Sequence, residues 1–149
     1  MKILGIDPGE KRIGVAISDP TGTIARPLCV IKHVAREADA ERIAEIAQAE
    51  GVAIIVIGMA LNADGEVGHQ ARKSQRFADV LRTKTAVPVE LWDESGTTQA
   101  AQASRIALGV PRKKRQGHLD DLAASVLLQD YLIANEAKVK MLEVTDEES

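Results

Sequence analysis

The stretch that decides the fold is residues 1–18, MKILGIDPGEKRIGVAIS. An apolar segment ends in a carboxylate at Asp7, and Pro8 and Gly9 then turn the chain. A second apolar segment, residues 13–18, returns beside the first, which is typical of two antiparallel strands. A charge at the tip of a central, buried strand is costly unless it is paired or bound to a metal ion. We therefore interpret Asp7 as the anchor of a metal-dependent site.

Length and composition are those of a globular chain without aromatic platforms. The 149 residues are 45% hydrophobic, which suits one domain with a sizeable core. Aromatic residues make up only 2%, so stacking of nucleic-acid bases on aromatic rings is not expected. The single cysteine excludes a disulfide within the chain and a cysteine-rich metal site. We expect a cytoplasmic protein without a membrane partner, because we find neither a signal-peptide pattern nor the ~20 apolar residues of a membrane span.

The charge is unevenly distributed along the chain. The net charge is −3, and residues 141–149 contain four acidic residues but no lysine or arginine. Without those four charges the rest of the chain would carry +1, so net charge alone does not indicate a nucleic-acid partner. We expect residues 1–138 to form the domain and residues 139–149 to form a flexible acidic tail.

The remaining pattern predicts the element order β-β-β-α-β-α-β-α-α. Short turns make the first three strands an antiparallel meander, and the right-handed crossover rule places the fourth strand parallel to a meander strand, most simply the first. The predicted fold class is α/β, with a five-stranded mixed sheet between helices on both faces. The predicted strands are 2–7, 12–18, 24–32, 52–58 and 87–92, and the predicted helices are 36–50, 67–83, 97–108 and 119–135.

Four carboxylates are expected at the edge where the parallel strands end. Asp7 ends the first strand, Asp93 and Glu94 end the last strand, and Asp120 opens the last helix. Taken singly, each also suits a solvated loop acid or a helix N-cap. Together they suit Mg²⁺ or Mn²⁺, which prefer oxygen ligands. Two such ions ~4 Å apart can activate a water and stabilise the leaving oxygen in phosphodiester cleavage.

Helical spacing selects Asp120 over Asp121. The positions four, seven and eleven residues after Asp120 are apolar, whereas the positions four and eight residues after Asp121 are Ser125 and Gln129. We therefore expect Asp120 to face the sheet and Asp121 to face solvent.

Three groups of basic residues could hold a polyanion near these acids. One follows Asp7 in the first turn, one belongs to the helix predicted at 67–83, and one immediately precedes the last helix. Such side chains bind phosphates without reading sequence, although a basic run is also typical of a solvated loop. The candidate nucleic-acid-binding residues are Lys11, Arg12, Arg72, Arg76, Arg112, Lys113, Lys114 and Arg115.

Four blocks in chain order resemble the bacterial YqgF/RuvX family. They are GIDPG (5–9) with KRIGVA (11–16), IG (57–58) with LN (61–62) and DG (64–65), DE (93–94) with TT (97–98), and Asp120 with LAA (122–124). The resemblance covers about residues 1–135. Two departures stand out: Ser95 follows the DE pair where the family usually has arginine, and Met59-Ala60 replaces a usual proline.

The resemblance implies an RNase H-like fold and metal-dependent hydrolysis of phosphodiesters. It implies that Asp7, Glu94 with or without Asp93, and Asp120 act as the catalytic acids and metal ligands. The family is described as pre-16S rRNA nucleases or Holliday-junction-resolvase-like proteins. The implied substrates are therefore precursor rRNA, trimmed at its 5′ end, or branched DNA, with the ribosome as a further candidate partner.

Two alternatives remain open from the sequence. The Asp7-x-Gly9 pattern resembles the first phosphate loop of actin-like ATPases, but no second such loop appears and the chain has room for only one lobe. The chain could also be a non-catalytic nucleic-acid-binding module of ribosome assembly. Both a monomer and a homodimer are compatible with the sequence, although a junction resolvase would need a two-fold dimer.

Overall fold

The computed structural model describes residues 1–59, 67–93 and 119–141, which form a five-stranded mixed sheet with helices on both faces. The strands are β1 (Ile3–Pro8), β2 (Arg12–Ser18), β3 (Ala25–Lys32), β4 (Ile54–Met59) and β5 (Val89–Asp93), in the spatial order β3-β2-β1-β4-β5. The helices are α1 (Arg36–Glu50), α2 (His69–Lys84) and α3 (Leu119–Ala134). The predicted helix at 97–108 lies outside the described residues. None of the described helices is long and apolar enough to cross a membrane.

Strand β1 is central, and the prediction that β4 pairs with it in parallel is confirmed. β1 is antiparallel to β2 and parallel to β4, and β4 is parallel to β5. β1, β4 and β5 therefore all end at one edge of the sheet, which we call the carboxyl edge. The opposite edge, where β2 ends and β3 begins, is called the amino edge.

Two apolar cores lie on opposite faces of this sheet because strand side chains alternate. Leu4 and Ile6 of β1 belong to the core shared with α1 and α2. Ile3 belongs to the core on the other face, with Leu128 and Tyr131 of α3. These layers give the three-layer α/β/α arrangement that the sequence predicts.

Helix α3 approaches the sheet closely at Gly5. A Cβ atom built on Gly5 would lie 2.8 Å from Cβ of Leu128, closer than two side-chain carbons normally pack. Farther along the chain, Val139 packs against Gly22 at the amino edge and is 2% exposed. α3 therefore runs antiparallel to β1, and its first residues point toward the carboxyl edge.

The predicted element boundaries shift by one to two residues for local reasons. Helix α1 ends at Gly51 as predicted, with a left-handed φ of 66°. The amide of Val52 then donates to the carbonyl of Ala47 at 3.1 Å, so Val52 completes the helix end and β4 begins at Ile54. β5 likewise begins at Val89, because the amide of Val87 donates to Oγ1 of Thr85 in the preceding turn.

The apolar stripe predicted for the last helix is confirmed, but the polar stripe is not solvent-facing. Ser125 is only 5% exposed. The side-chain amide of Gln129 accepts from the amide of Ala25 at 2.9 Å and donates to the carbonyl of Thr23 at 3.0 Å. The interpretation was wrong at these positions because α3 packs on β2 and β3 as well as on β1. The buried stripe comprises Ala124, Leu127 and Tyr131.

Candidate active site

Asp7 lies half-buried near the end of β1, at the carboxyl edge. Its partner in β2 is Gly14, and on the β4 side the parallel register brings it level with Gly58. Asp7 continues the alternation of Ile3 and Gly5, so it lies on the face of the sheet that α3 covers. Because both neighbours in its row are glycines, no side chain from either adjacent strand occupies the space beside this carboxylate.

Asp93 is the last residue of β5 and lies at the same edge, also half-buried. Val89 and Leu91 of β5 pack into the core with α1 and α2, and Asp93 continues that alternation. It therefore lies on the opposite face of the sheet from Asp7. Glu94, the next candidate acid, lies outside the described residues.

Asp120 is the second residue of α3, and its side chain lies outside the described part of the structure. Leu128, which packs over Gly5, comes eight residues later, or about 12 Å along the helix axis. The backbone of Asp120 is thus carried beyond the level of Gly5 toward the carboxyl edge. The described residues contain no group of three acids, histidines or cysteines able to hold a metal ion, and they leave out two of the four predicted carboxylates.

Three side-chain contacts hold together β5, which leads to Glu94, and α3, which carries Asp120. The indole Nε1 of Trp92 donates to Oδ2 of Asp130 at 3.2 Å, although Asp130 is only 5% exposed. The rings of Trp92 and Tyr131 meet edge to face with centroids 5.5 Å apart. The hydroxyl of Tyr131 also donates to Glu90. These contacts fix the position of α3 relative to β5.

The carboxylate of Glu90 is held ionised within this group. Burial alone would raise the pKa of Glu90, but the hydrogen bonds from Lys138 and Tyr131 outweigh it and lower the pKa. Burial, the larger effect, and the bond to Glu90 both raise the pKa of Tyr131. Tyr131 therefore stays protonated and keeps donating to Glu90 throughout the neutral range.

Two described basic pairs lie near the carboxyl edge, one where β2 begins and one on α2. Lys11 and Arg12 are exposed between the end of β1 and the start of β2. Arg72 and Arg76 are exposed on the first two turns of α2, and Gln75 Nε2 in the same turns lies 3.8 Å from Sδ of Met59 at the end of β4. Both basic pairs are thus close to the carboxyl edge. The remaining candidates, Arg112, Lys113, Lys114 and Arg115, lie outside the described residues.

Sequence reasoning missed one buried acid near this edge. Asp39 of α1 is 1% exposed, pairs with Nδ1 of His33 and accepts from the amide of Val34 at 3.1 Å. His33 itself is exposed. The available signal was an acid in the first turns of a helix, six residues after a histidine that follows a strand.

Comparison with known proteins identifies the family. A model of the family described as "RuvX: Holliday junction resolvase" matches residues 1–134. This chain belongs to the RuvX family. The match covers both the sheet and α3, and so includes every candidate carboxylate.

RuvX-family relatives are similar to this chain over nearly all of its length. A "Putative pre-16S rRNA nuclease" of Thermoanaerobacter pseudethanolicus is 42% identical over 139 residues, which cover 93% of this chain and 100% of the relative. A protein of the same name from Chloroflexus aurantiacus is 44% identical over 132 residues, 89% of this chain and 86% of the relative. Both relatives carry the name of a nuclease.

A solved structure supports the assignment of the fold. The structure of Thermus thermophilus RuvC in complex with a Holliday junction substrate matches with a TM-score of 0.56 at 20% identity, covering 91% of this chain and 96% of that one. At this identity the likeness shows a shared fold. It confirms the RNase H-like architecture that the sequence resemblance implied for this RuvX-family chain.

Proposed function

We propose that this chain is a metal-dependent nuclease that hydrolyses nucleic-acid phosphodiesters in the cytoplasm and processes the 5′ end of precursor 16S rRNA. The names of the RuvX-family relatives support the nuclease activity and the substrate. Family membership also favours this proposal over an actin-like ATPase.

The proposal is carried by the position of Asp7. A half-buried carboxylate stands between two glycine positions at the carboxyl edge, and the exposed Lys11 and Arg12 follow it closely in the chain. Open α/β sheets place their sites at this edge. The nearby cations Lys11 and Arg12 offset the repulsion between a polyanionic strand and this carboxylate.

The donor set fits Mg²⁺ or Mn²⁺. Carboxylate oxygens are the preferred ligands of these ions, and Asp7 faces the same layer as α3, which carries Asp120. We propose Asp7, Glu94 and Asp120 as the ligands of one or two ions. When bound, such ions lower the pKa of a water and stabilise the leaving oxygen.

Asp93 is the weaker candidate for this ligand set. Asp93 lies on the opposite face of the sheet from Asp7, so we propose Glu94 as the partner acid. In this proposal Asp93 lies at the carboxyl edge near the metal ligands but does not bind the ions.

Branched DNA is the second candidate substrate. It is favoured by the description of the family model, Holliday junction resolvase. Symmetric cleavage of a junction would require a two-fold homodimer, whereas trimming of an rRNA end could be performed by a monomer. Both substrates present the same phosphodiester to the same acids.

The decisive experiment compares the two substrates side by side. The full chain is incubated with precursor 16S rRNA and with a four-way DNA junction in Mn²⁺ or Mg²⁺, and products are mapped on sequencing gels. We expect cleavage near the mature 5′ end of the rRNA and little cleavage of the junction. Asp7→Asn and Asp120→Asn should abolish cleavage while circular dichroism shows an intact fold.

Each other outcome identifies a different error. Efficient, symmetric junction cleavage would favour the resolvase. Unchanged cleavage in both folded variants would overturn the proposed acids. Nucleic-acid binding without cleavage of either substrate would favour a non-catalytic module of ribosome assembly.

A further inference from the structure

A basic depression lies beside the candidate active site, between the start of β2 and the end of β3. Arg12 and Lys32 are direct partners across the two strands, and the amide of His33 donates to the carbonyl of Lys11 at 2.9 Å. Both strands reach the carboxyl edge here. The depression is lined by Glu10, Lys11, Arg12, Val30, Lys32 and His33.

The cations of this depression are not neutralised by the described part of the chain. Lys11, Arg12 and Lys32 are exposed, and none of them forms an ion pair with another described residue. Glu10 is the one acid in the lining. Cations that the described residues leave without an ion pair, in an open depression, suit an extended polyanion.

His33 is held in a fixed orientation at the rim of the depression. Its Nδ1 pairs with the buried carboxylate of Asp39, whose other oxygen accepts the amide of Val34. The imidazole itself is 39% exposed. Because Nδ1 is engaged with Asp39, Nε2 is the ring nitrogen available to a ligand.

We propose that this depression binds phosphates of the nucleic-acid backbone at a second point, outside the carboxylate site. Lys32 supplies charge and His33 supplies a directed contact from Nε2. Asp39 is a positioning residue that acts through His33. The inference rests on the proposed function in one respect, namely that the ligand is nucleic acid.

The register of the strands connects the depression to the carboxylate site. Asp7 pairs with Gly14, and Arg12 precedes Gly14 by two residues, or about 7 Å along β2. A strand of a few nucleotides could therefore contact Asp7 and continue across Arg12 to Lys32. An acidic protein segment would not explain why the depression opens at the edge that carries Asp7.

The test measures binding rather than cleavage. The full chain carrying Asp7→Asn binds a fluorescently labelled oligonucleotide with a duplex and a single-stranded arm, over a series of salt concentrations. Lys32→Ala should raise Kd several-fold and reduce the slope of log K against log salt by about 0.7 to 0.9. Arg26→Ala is the matched control, because Arg26 is an exposed cation of the same strand β3 near the amino edge, and it should leave Kd and slope unchanged.

The histidine pair is tested separately. His33→Gln should raise Kd, and Asp39→Asn should reproduce that rise if Asp39 acts by positioning the ring. Adding His33→Gln to Asp39→Asn should then raise Kd little further, because both changes remove one contact. Thermal unfolding shows whether the Asp39→Asn variant still folds. If that variant does not fold, the Kd values of Lys32→Ala and His33→Gln alone decide whether the depression binds the oligonucleotide.

The outcomes separate this inference from the proposed function. The second binding point would be overturned if Lys32→Ala and His33→Gln had the same Kd for the oligonucleotide as Arg26→Ala. That holds even if the unmutated chain cleaves rRNA. Conversely, weakened binding by both variants would support it even if the unmutated chain cleaves nothing. A chain that binds no oligonucleotide at low salt would contradict both.

Discussion

The chain contains two Asp-Pro turns at opposite edges of the sheet, and their aspartates have different surroundings. Asp7-Pro8-Gly9 spans the carboxyl end of β1, whereas Asp19-Pro20-Thr21-Gly22 follows the end of β2 at the amino edge. In sequence they are nearly the same motif: a strand, an aspartate, a proline and a glycine. The structure shows that Asp19 accepts hydrogen bonds from the backbone of its own turn.

Asp19 is committed to its own turn. Its Oδ1 accepts the amides of Thr23 at 2.8 Å and Ile24 at 2.9 Å, and its Oδ2 accepts from Thr21. Burial acts to raise the pKa of Asp19, but the hydrogen bonds from Ile24, Thr21 and Thr23 outweigh it and lower the pKa to about 2. This carboxylate closes a loop.

Asp7 differs from Asp19 because it still belongs to the strand. β1 continues to Pro8, and the turn is closed instead by the amide of Gly9, which donates to the carbonyl of Arg12 at 2.9 Å. The backbone of Asp7 is extended and paired with Gly14. In this comparison, the structural acid lies just outside its strand and the candidate catalytic acid lies just inside its strand.

Exchanging each acid for its amide gives the largest expected contrast. Asp7→Asn should reduce metal-dependent cleavage by about 1000-fold or more, because a neutral amide is a poor metal ligand, and should change stability little. Asp19→Asn should leave cleavage unchanged and lower the free energy of unfolding by about 1 kcal/mol. Cleavage rates and urea unfolding are measured on both variants. A loss of cleavage in Asp19→Asn with the fold intact would erase the distinction between the two turns.

Gly22, the glycine of the amino-edge turn, should be sensitive to substitution. Gly22 has a φ of +68°, and a Cβ there would lie 2.6 Å from Cγ1 of Val139. Gly22→Ala should therefore cost about 2 kcal/mol or more in unfolding free energy, from backbone strain and overpacking together. Gly51→Ala is the control, because Gly51 has a φ of +66° but no atom within 4 Å of the added carbon. Equal losses of unfolding free energy in Gly22→Ala and Gly51→Ala would mean that Val139 can move away from the added carbon without loss of stability.

The smallest expected effect is the pH dependence that Asp19 contributes. Its pKa is about 2 in the folded chain against an ordinary value of 3.8, so its stabilisation is complete above pH 3.8 and disappears as the pH falls toward 2. The difference in unfolding free energy between the unmutated chain and Asp19→Asn should shrink across this window by about 1 kcal/mol, after allowance for solvent screening. Urea unfolding at a series of pH values measures it. A difference that stays constant down to pH 2 would contradict the role of these hydrogen bonds.

The sequence predicts the fold well because its signals are local. Alternating and continuous apolar runs define the five strands, and the short turns at Pro8 and at Pro20 leave few ways to pair the first three. The parallel pairing of β1 with β4 then follows from the handedness of the crossover. The predicted start of β4 at Val52 was less accurate, because the sequence of an apolar run does not show that Val52 makes the hydrogen bond that ends helix α1.

The site is harder to predict because it depends on which face each residue takes. The sequence brings Asp93 and Glu94 equally to the carboxyl edge, and only the packing of Val89 and Leu91 shows that Asp93 lies on the opposite face from Asp7. The pairing of His33 with Asp39 was missed for the same reason. It depends on how α1 folds back over the end of β3, and no periodic pattern records that contact.

The close packing at Gly5 bears on the choice of metal ion. A hydrogen atom at this position lets Leu128 settle onto β1, so residue 5 determines the height of α3 above the sheet. The contact between Gly5 and Leu128 therefore sets the distance between the chain segments that carry Asp7 and Asp120. Gly5 precedes Asp7 by two residues, and Leu128 follows Asp120 by eight residues, or about two turns of helix. Mg²⁺ demands near-ideal octahedral coordination at about 2.0–2.1 Å, whereas Ca²⁺ accepts longer and less regular bonds. We expect Gly5→Ala to shift the metal preference of the proposed site toward larger cations while its proposed ligands stay the same.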